Sequence, residues 1–168
     1  MRLRGYRDED AGYIVRWIRE EAVYYQWCAG LFGAFPLTEE KLNWYYRGVQ
    51  KNIPYWALTA EDERGIVGHI TMRFTDRKKK ILRLGFVLID DARRGEGLGK
   101  GLVALAMHHG EAVLGAKKIT LGVFANNISA RYCYEALGFV QEENFSKIYR
   151  IKGEDWECIE MSYVPRKA

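Results

Sequence analysis

Gly95, Gly97, Gly99 and Gly101 fall within one seven-residue stretch of this 168-residue chain. They follow an apolar run, Ile81 to Ile89, and open an amphipathic one, roughly Leu98 to Leu114. That order predicts a strand, a turn and a helix start. The first N–H groups of a helix have no intrahelical acceptor and stand at the positive end of its dipole. Glycines without side chains let an anion approach that backbone closely. The segment therefore predicts an anion-binding loop, with a phosphate or pyrophosphate as its natural ligand.

Three phosphate patterns can be tested against it. A Walker A loop has four residues between its first Gly and its Gly-Lys-Ser/Thr. Here Gly95 and Gly99 enclose three, and Gly101 follows Lys100, so it fails twice. The dinucleotide pattern G-x-G-x-x-G also fails, because Lys100 or Leu102 stands at its third glycine. What the chain does contain is Arg-x-x-Gly-x-Gly, at Arg94, Gly97 and Gly99. A second block follows, Asn-x-x-Ala-x-x-x-Tyr-x-x-x-Gly-Phe, at Asn127, Ala130, Tyr134, Gly138 and Phe139.

Together these blocks resemble the GNAT superfamily of acetyl-CoA-dependent N-acetyltransferases, sharply over residues 81–140. The Trp- and Tyr-rich beginning is more loosely similar to the branch near the ribosomal-protein N-terminal acetyltransferases. The resemblance implies that acetyl-CoA is the co-substrate. Its pyrophosphate would lie on Arg94, Gly95, Glu96, Gly97, Leu98, Gly99 and Lys100. Its pantetheine arm would run beside Val87, Leu88 and Ile89, where that strand splays from Lys118–Phe124. Asn127 would contact the cofactor arm. Tyr134 would sit near the sulfur as the catalytic residue, giving a proton or hydrogen bond to the departing thiolate. Each role has a plainer counterpart: Tyr134 as core, Asn127 as a helix cap, Arg94 as a surface charge.

Hydrophobic periodicity supplies the rest of the fold. Leu3–Tyr6 reads as a strand, Asp8–Arg19 and Glu20–Trp27 as helices, and residues 28–37 as a loop. Thr38 caps a helix with Leu42, Tyr45, Tyr46 and Val49 on its apolar face. Pro54–Glu61, Ile66–Thr75 and Ile81–Ile89 read as an antiparallel meander. The helix after the glycines buries Leu98, Leu102, Leu105, His109 and Val113. A strand over Lys118–Phe124, a helix over Ser129–Leu137 and a strand from Phe139 follow. Phe145–Lys152 and Asp155–Val164 form a final hairpin across Gly153-Glu154. The expected class is α/β (α+β): a mixed, mostly antiparallel sheet with helices on both faces, in one domain over residues 1–168.

The remaining totals exclude function classes. A net charge of +4 suits a phosphate-bearing ligand but is no nucleic-acid stripe. The densest run, Arg77-Lys78-Lys79-Lys80, reads as a solvated turn or as a contact for an acidic ligand. Cys28, Cys133 and Cys158 lack metal-site or disulfide spacing, so no metal is expected and reduced cytoplasmic thiols are. Neither a secretory leader nor an apolar run long enough for a membrane helix is evident. A homodimer is compatible with the resemblance.

The general base is missing. The ribosomal-protein type often carries a Glu where Gly122 stands, and related enzymes an acid where Arg83 and Leu84 stand. His69, His108, His109, Glu142 and Glu143 remain as weak substitutes. An α-amine is already partly neutral at pH 7, whereas a lysine amine is not, so water is expected to relay the proton. Thirteen of the 23 aromatics lie in the first 56 residues. Trp27, Phe32 and Phe35 are the rings expected to wall the acceptor site. The resemblance implies a primary amine as acceptor, either a protein N-terminus or a small molecule. The alternative is a non-catalytic acyl-CoA-binding module.

Overall fold

The computed structural model describes residues 1–49, 54–78 and 80–165. Lys79, in the Arg77–Lys80 run, lies outside the described residues. Among the described residues seven strands form one sheet: β1 (Arg2–Gly5), β2 (Tyr55–Asp62), β3 (Gly65–Phe74), β4 (Ile81–Ile89), β5 (Lys118–Phe124), β6 (Val140–Ile151) and β7 (Glu154–Tyr163). Their spatial order is β1-β2-β3-β4-β5-β7-β6. All neighbours are antiparallel except β4 and β5. The parallel pair needs a crossover, and α4 (Leu98–Ala112) supplies it.

Helices cover both faces. Helices α1 (Ala11–Trp17), α2 (Glu21–Cys28) and α3 (Glu39–Val49) share one core with Tyr55, Ala57 and Leu88. The other core joins Leu102, Val103, Ala106 and Met107 of α4 to Ile70, Met72, Leu82, Leu84, Ile119 and Leu121, with α5 (Ile128–Glu135) beside it. Successive strand side chains alternate between these layers, which is why Leu82 and Leu84 meet α4 while Arg83 faces the other way.

The capping residues behave locally. Thr38 Oγ1 accepts from the Lys41 N–H at 3.3 Å, and its carbonyl accepts from Leu42 at 3.1 Å. Gly138 takes a left-handed φ of 89° as the chain leaves α5.

Three expectations are corrected. The buried stripe of α4 is Leu102, Val103, Ala106, Met107 and Gly110; Val113 is exposed and His109 half-buried. The helix presses its small residues against the sheet: a Cβ on Gly110 would stand 2.5 Å from Leu82 Cδ2. The strand from Phe139 and the strand over Phe145–Lys152 are one strand, β6, continued through an irregularity between Gln141 and Ser146. Its hairpin turns at Lys152-Gly153, both with positive φ.

Candidate active site

The parallel pair is incomplete. Strands β4 and β5 pair through Ile81–Lys118, Leu82–Ile119 and Arg83–Thr120, and no further. Beyond Arg83 they fork, and a cavity of about 670 Å³ opens between Leu84–Ile89 and Leu121–Val123. A bulge at the fork turns β4. Thr71 opposes Gly85 and His69 opposes Leu88, so Phe86 and Val87 together face a single residue of β3. Phe86 takes a φ of 47°, unusual for a side-chain-bearing residue. Its ring leaves the strand line to meet Trp27 and Phe32, each at 5.3 Å between centroids.

The glycine loop closes the open end of the fork. Asp90 accepts from the Ala92 N–H at 3.0 Å and starts the turn. The Arg93 guanidinium is held by Asp62 and Glu96, both at 2.8 Å, which ties the loop to the β2–β3 hairpin. Gly95 and Gly97 have φ of 86° and 76°, and open space surrounds the Cβ position of each. Gly101 is the first residue of α4 whose N–H bonds back, to Gly97 O at 3.1 Å. The N–H groups of Leu98, Gly99 and Lys100 thus remain as unpaired helix-start donors.

Val87, Leu88, Ile89, Arg94, Gly95, Gly97, Leu98, Gly99, Lys100, Asn127 and Tyr134 all line this one cavity. Glu96 does not. Its carboxylate turns to Arg93 and, at 3.3 Å, to Arg64, because a carboxylate beside two guanidiniums gains more there than facing an anion site. Asn127 caps α5 through the Ala130 N–H at 3.3 Å while also lining the groove. Tyr134 packs edge-on to Phe139, at 6.0 Å between ring centroids. Burial pushes its phenol well above the usual range, so at neutral pH it holds its proton.

Other candidates fall elsewhere. His69 is fully buried, sharing a 2.6 Å hydrogen bond with the Tyr46 hydroxyl, and burial lowers its pKa to about 3. Glu142 is paired with Lys118. Glu143 and His108 are exposed. Trp27 lines the groove with Val23 and Gln26 of α2, and Phe32 stacks on Trp27 at 5.4 Å. Phe35 instead packs on Tyr24. Sequence reasoning missed Gln26, which bonds Asn126 at 3.2 Å from across the chain, and Phe86, whose placement depends on the bulge. The base position at Gly122 is filled from outside: a Cβ there would stand 2.8 Å from Arg83 Nη2 and 3.0 Å from Cys158 Sγ. Among the described residues no cluster of His, Cys, Asp or Glu is suited to a metal, and no helix is long and apolar enough to cross a membrane.

A forked sheet with a glycine-lined helix start at its open end defines an α/β protein with a long groove between two parallel strands. A family model described as "Acetyltransferase (GNAT) family" matches residues 8–139, and the chain belongs to that family. It is 39% identical over 84 residues to mycothiol acetyltransferases from two strains of Corynebacterium glutamicum. That match covers 49% of this chain and only 27% of theirs. A spermidine N-acetyltransferase from Vibrio cholerae, solved with CoA and spermine, superposes with a TM-score of 0.80. The two share 19% identity over 97% of this chain and 94% of that one, a likeness of fold.

Proposed function

We propose that the protein transfers an acetyl group from acetyl-CoA to a primary amine. The observation that carries this reading is the fork between β4 and β5 with unpaired helix N–H groups at its mouth. The residues fit the co-substrate. Gly95 and Gly97 leave a cradle that any side chain would narrow, and Arg94 and Lys100 add positive charge for a pyrophosphate. The forked strands leave the fork-facing backbone groups of Val87 and Ile89 free to bond a pantetheine arm. Acetyl-CoA, when bound, supplies an activated thioester.

The chain's own residues then have defined tasks. Backbone N–H groups near the bulge at Phe86 stand where negative charge on an acyl oxygen would be stabilised. The Tyr134 hydroxyl, kept protonated by burial, donates to the leaving sulfur. Trp27, Phe32 and Phe86 shield the fork on the acceptor side. No carboxylate or histidine of the described residues stands free in the groove as a base, so the amine proton leaves through water. The acceptor amine is therefore one with an appreciable neutral fraction at the working pH.

The reading is tested by thiol release from acetyl-CoA across a panel of amines, with CoA affinity measured in parallel by calorimetry. Turnover on at least one amine supports it. Tight CoA binding with no turnover on any amine replaces it with an acyl-CoA-binding module. Absence of CoA binding removes both.

A further inference from the structure

A second cavity, of about 690 Å³, lies on the opposite face of the sheet from α4, where β4, β5, β6 and β7 run beyond the cover of α1–α3. Strand alternation fills it with charge. Arg73, Arg83, Lys118 and Lys147 line it, with Glu142 and Glu160 as its only carboxylates among the described residues. Arg83 is paired with Glu160, and Lys118 with Glu142. Lys147 rests over the Tyr149 ring at 4.9 Å.

Arg73 has no such partner. Among the described residues no carboxylate lies within ion-pair distance of its guanidinium. It is half-buried, and it stands directly opposite Arg83 in the β3–β4 ladder. Like charges in directly opposed strand positions repel, and a half-buried guanidinium has five donors to satisfy. An arrangement of this kind is relieved by an anion.

This cavity adjoins the fork. Gly122 lines the first cavity, and its missing side chain leaves the space that Arg83 Nη2 occupies from the second. An acceptor reaching the fork from this side would pass Arg83 and Arg73. We infer that the acceptor is a small primary amine that also carries a carboxylate, and that Arg73, assisted by Arg83, binds that carboxylate. The inference rests on the acetyl-transfer reading and narrows it. It separates this chain from an acceptor such as the spermine in the structural relative: a polycation would meet an excess of positive charge here.

The test pairs each amino acid with its decarboxylated amine, ornithine with putrescine and tyrosine with tyramine, and adds spermidine. The expected result is that kcat/KM favours the carboxylated member of the preferred pair, and that Arg73→Gln reduces that preference about tenfold or more, mainly through KM. Acetylation of spermidine or of the decarboxylated amines in preference to their partners overturns the inference. So does an Arg73→Gln variant with an unchanged preference. Direct calorimetric binding of the same amino acids to wild type and Arg73→Gln keeps the two readings separable. Binding that depends on Arg73 without turnover supports the carboxylate site and removes the transfer reading; no binding of any amino acid, together with turnover on other amines, does the reverse.

Discussion

The Arg83 guanidinium stands 2.8 Å from where a Cβ on Gly122 would lie, so one residue's missing side chain is the other's space. Any side chain at position 122 requires the Arg83 guanidinium tip, and the Cys158 thiol at 3.0 Å, to shift. The displaced group is the tip of a flexible side chain, which moderates the cost. Gly122→Ala is expected to lower stability by about 1 kcal/mol, read as a shift in thermal unfolding. Gly122→Glu is expected not to raise kcat, because the new carboxylate pairs with Arg83 instead of acting as a base. A rate increase measured in a steady-state assay would show that the carboxylate reaches the amine.

Gly97 takes a left-handed φ in open space, so its replacement is a backbone matter and not a clash. A β-branched residue there strains the loop by about 1–2 kcal/mol or forces it out of shape. Gly97→Val is expected to fold with a melting temperature lowered by about 2–8 °C and to lose CoA affinity by about tenfold or more. Calorimetric titration with CoA checks this, and wild-type affinity would show that the loop does not hold the pyrophosphate.

Tyr134 separates packing from chemistry. Its ring contacts Phe139, and phenylalanine preserves that contact. Tyr134→Phe is expected to keep stability and CoA affinity while lowering kcat about a hundredfold, the lower end for a positioned acid. Tyr134→Ala is expected to cost about 3 kcal/mol of stability, as aromatic truncation in a core does. Unfolding curves and single-turnover rates distinguish the two effects.

His69 makes stability depend on pH. Burial holds its folded pKa near 3, below an unfolded value of about 6.5. Between those values the unfolded chain binds the extra proton, so stability is full above about pH 6.5 and falls as the pH drops toward 3. The slope approaches about 1.4 kcal/mol per pH unit in the middle of that window. His69→Gln is expected to flatten the slope in denaturant titrations at a series of pH values. An unchanged slope would assign the acid sensitivity to other groups.

Asp10 adds an acid limit below that window. Burial alone would raise its pKa, but the Arg4 guanidinium at 2.7 Å, the Thr59 hydroxyl at 2.6 Å and the Arg7 N–H at 2.9 Å outweigh it and hold it low. Its contribution is present above the unfolded value of about 3.9 and is lost as the pH falls through the lower folded one. Asp10→Asn is expected to cost about 2 kcal/mol at neutral pH, measured by urea unfolding, with a smaller difference from wild type near pH 2.

The glycine loop was legible in the sequence because its demands are local. Positive φ and a bare helix start favour glycine wherever the chain later goes, and Gly95, Gly97 and Gly138 take such conformations. The strands of the meander and the two motif blocks were legible for the same reason. The buried face of α4 was not, since periodicity favoured the large residues Leu98, Leu105 and Val113. The helix instead approaches the sheet closely enough to need Gly110 over Leu82. Nor did the sequence show that Glu96 would turn from the groove, because that depends on Arg93 being held by Asp62 and on Arg64, both remote in the chain.

By itself, then, the sequence determined where the chain turns, where a helix start is left bare for an anion, and which strands alternate. Those follow from backbone sterics and short-range periodicity. Only the tertiary structure decided that Arg73 stands opposite Arg83, that Phe86 leaves its strand toward Trp27, and that His69 is sealed beneath Tyr46. Each depends on strand register, on one bulged residue, or on which layer covers which part of the sheet. Register and layering are set by the summed burial of many distant side chains, and no local run of residues records that sum.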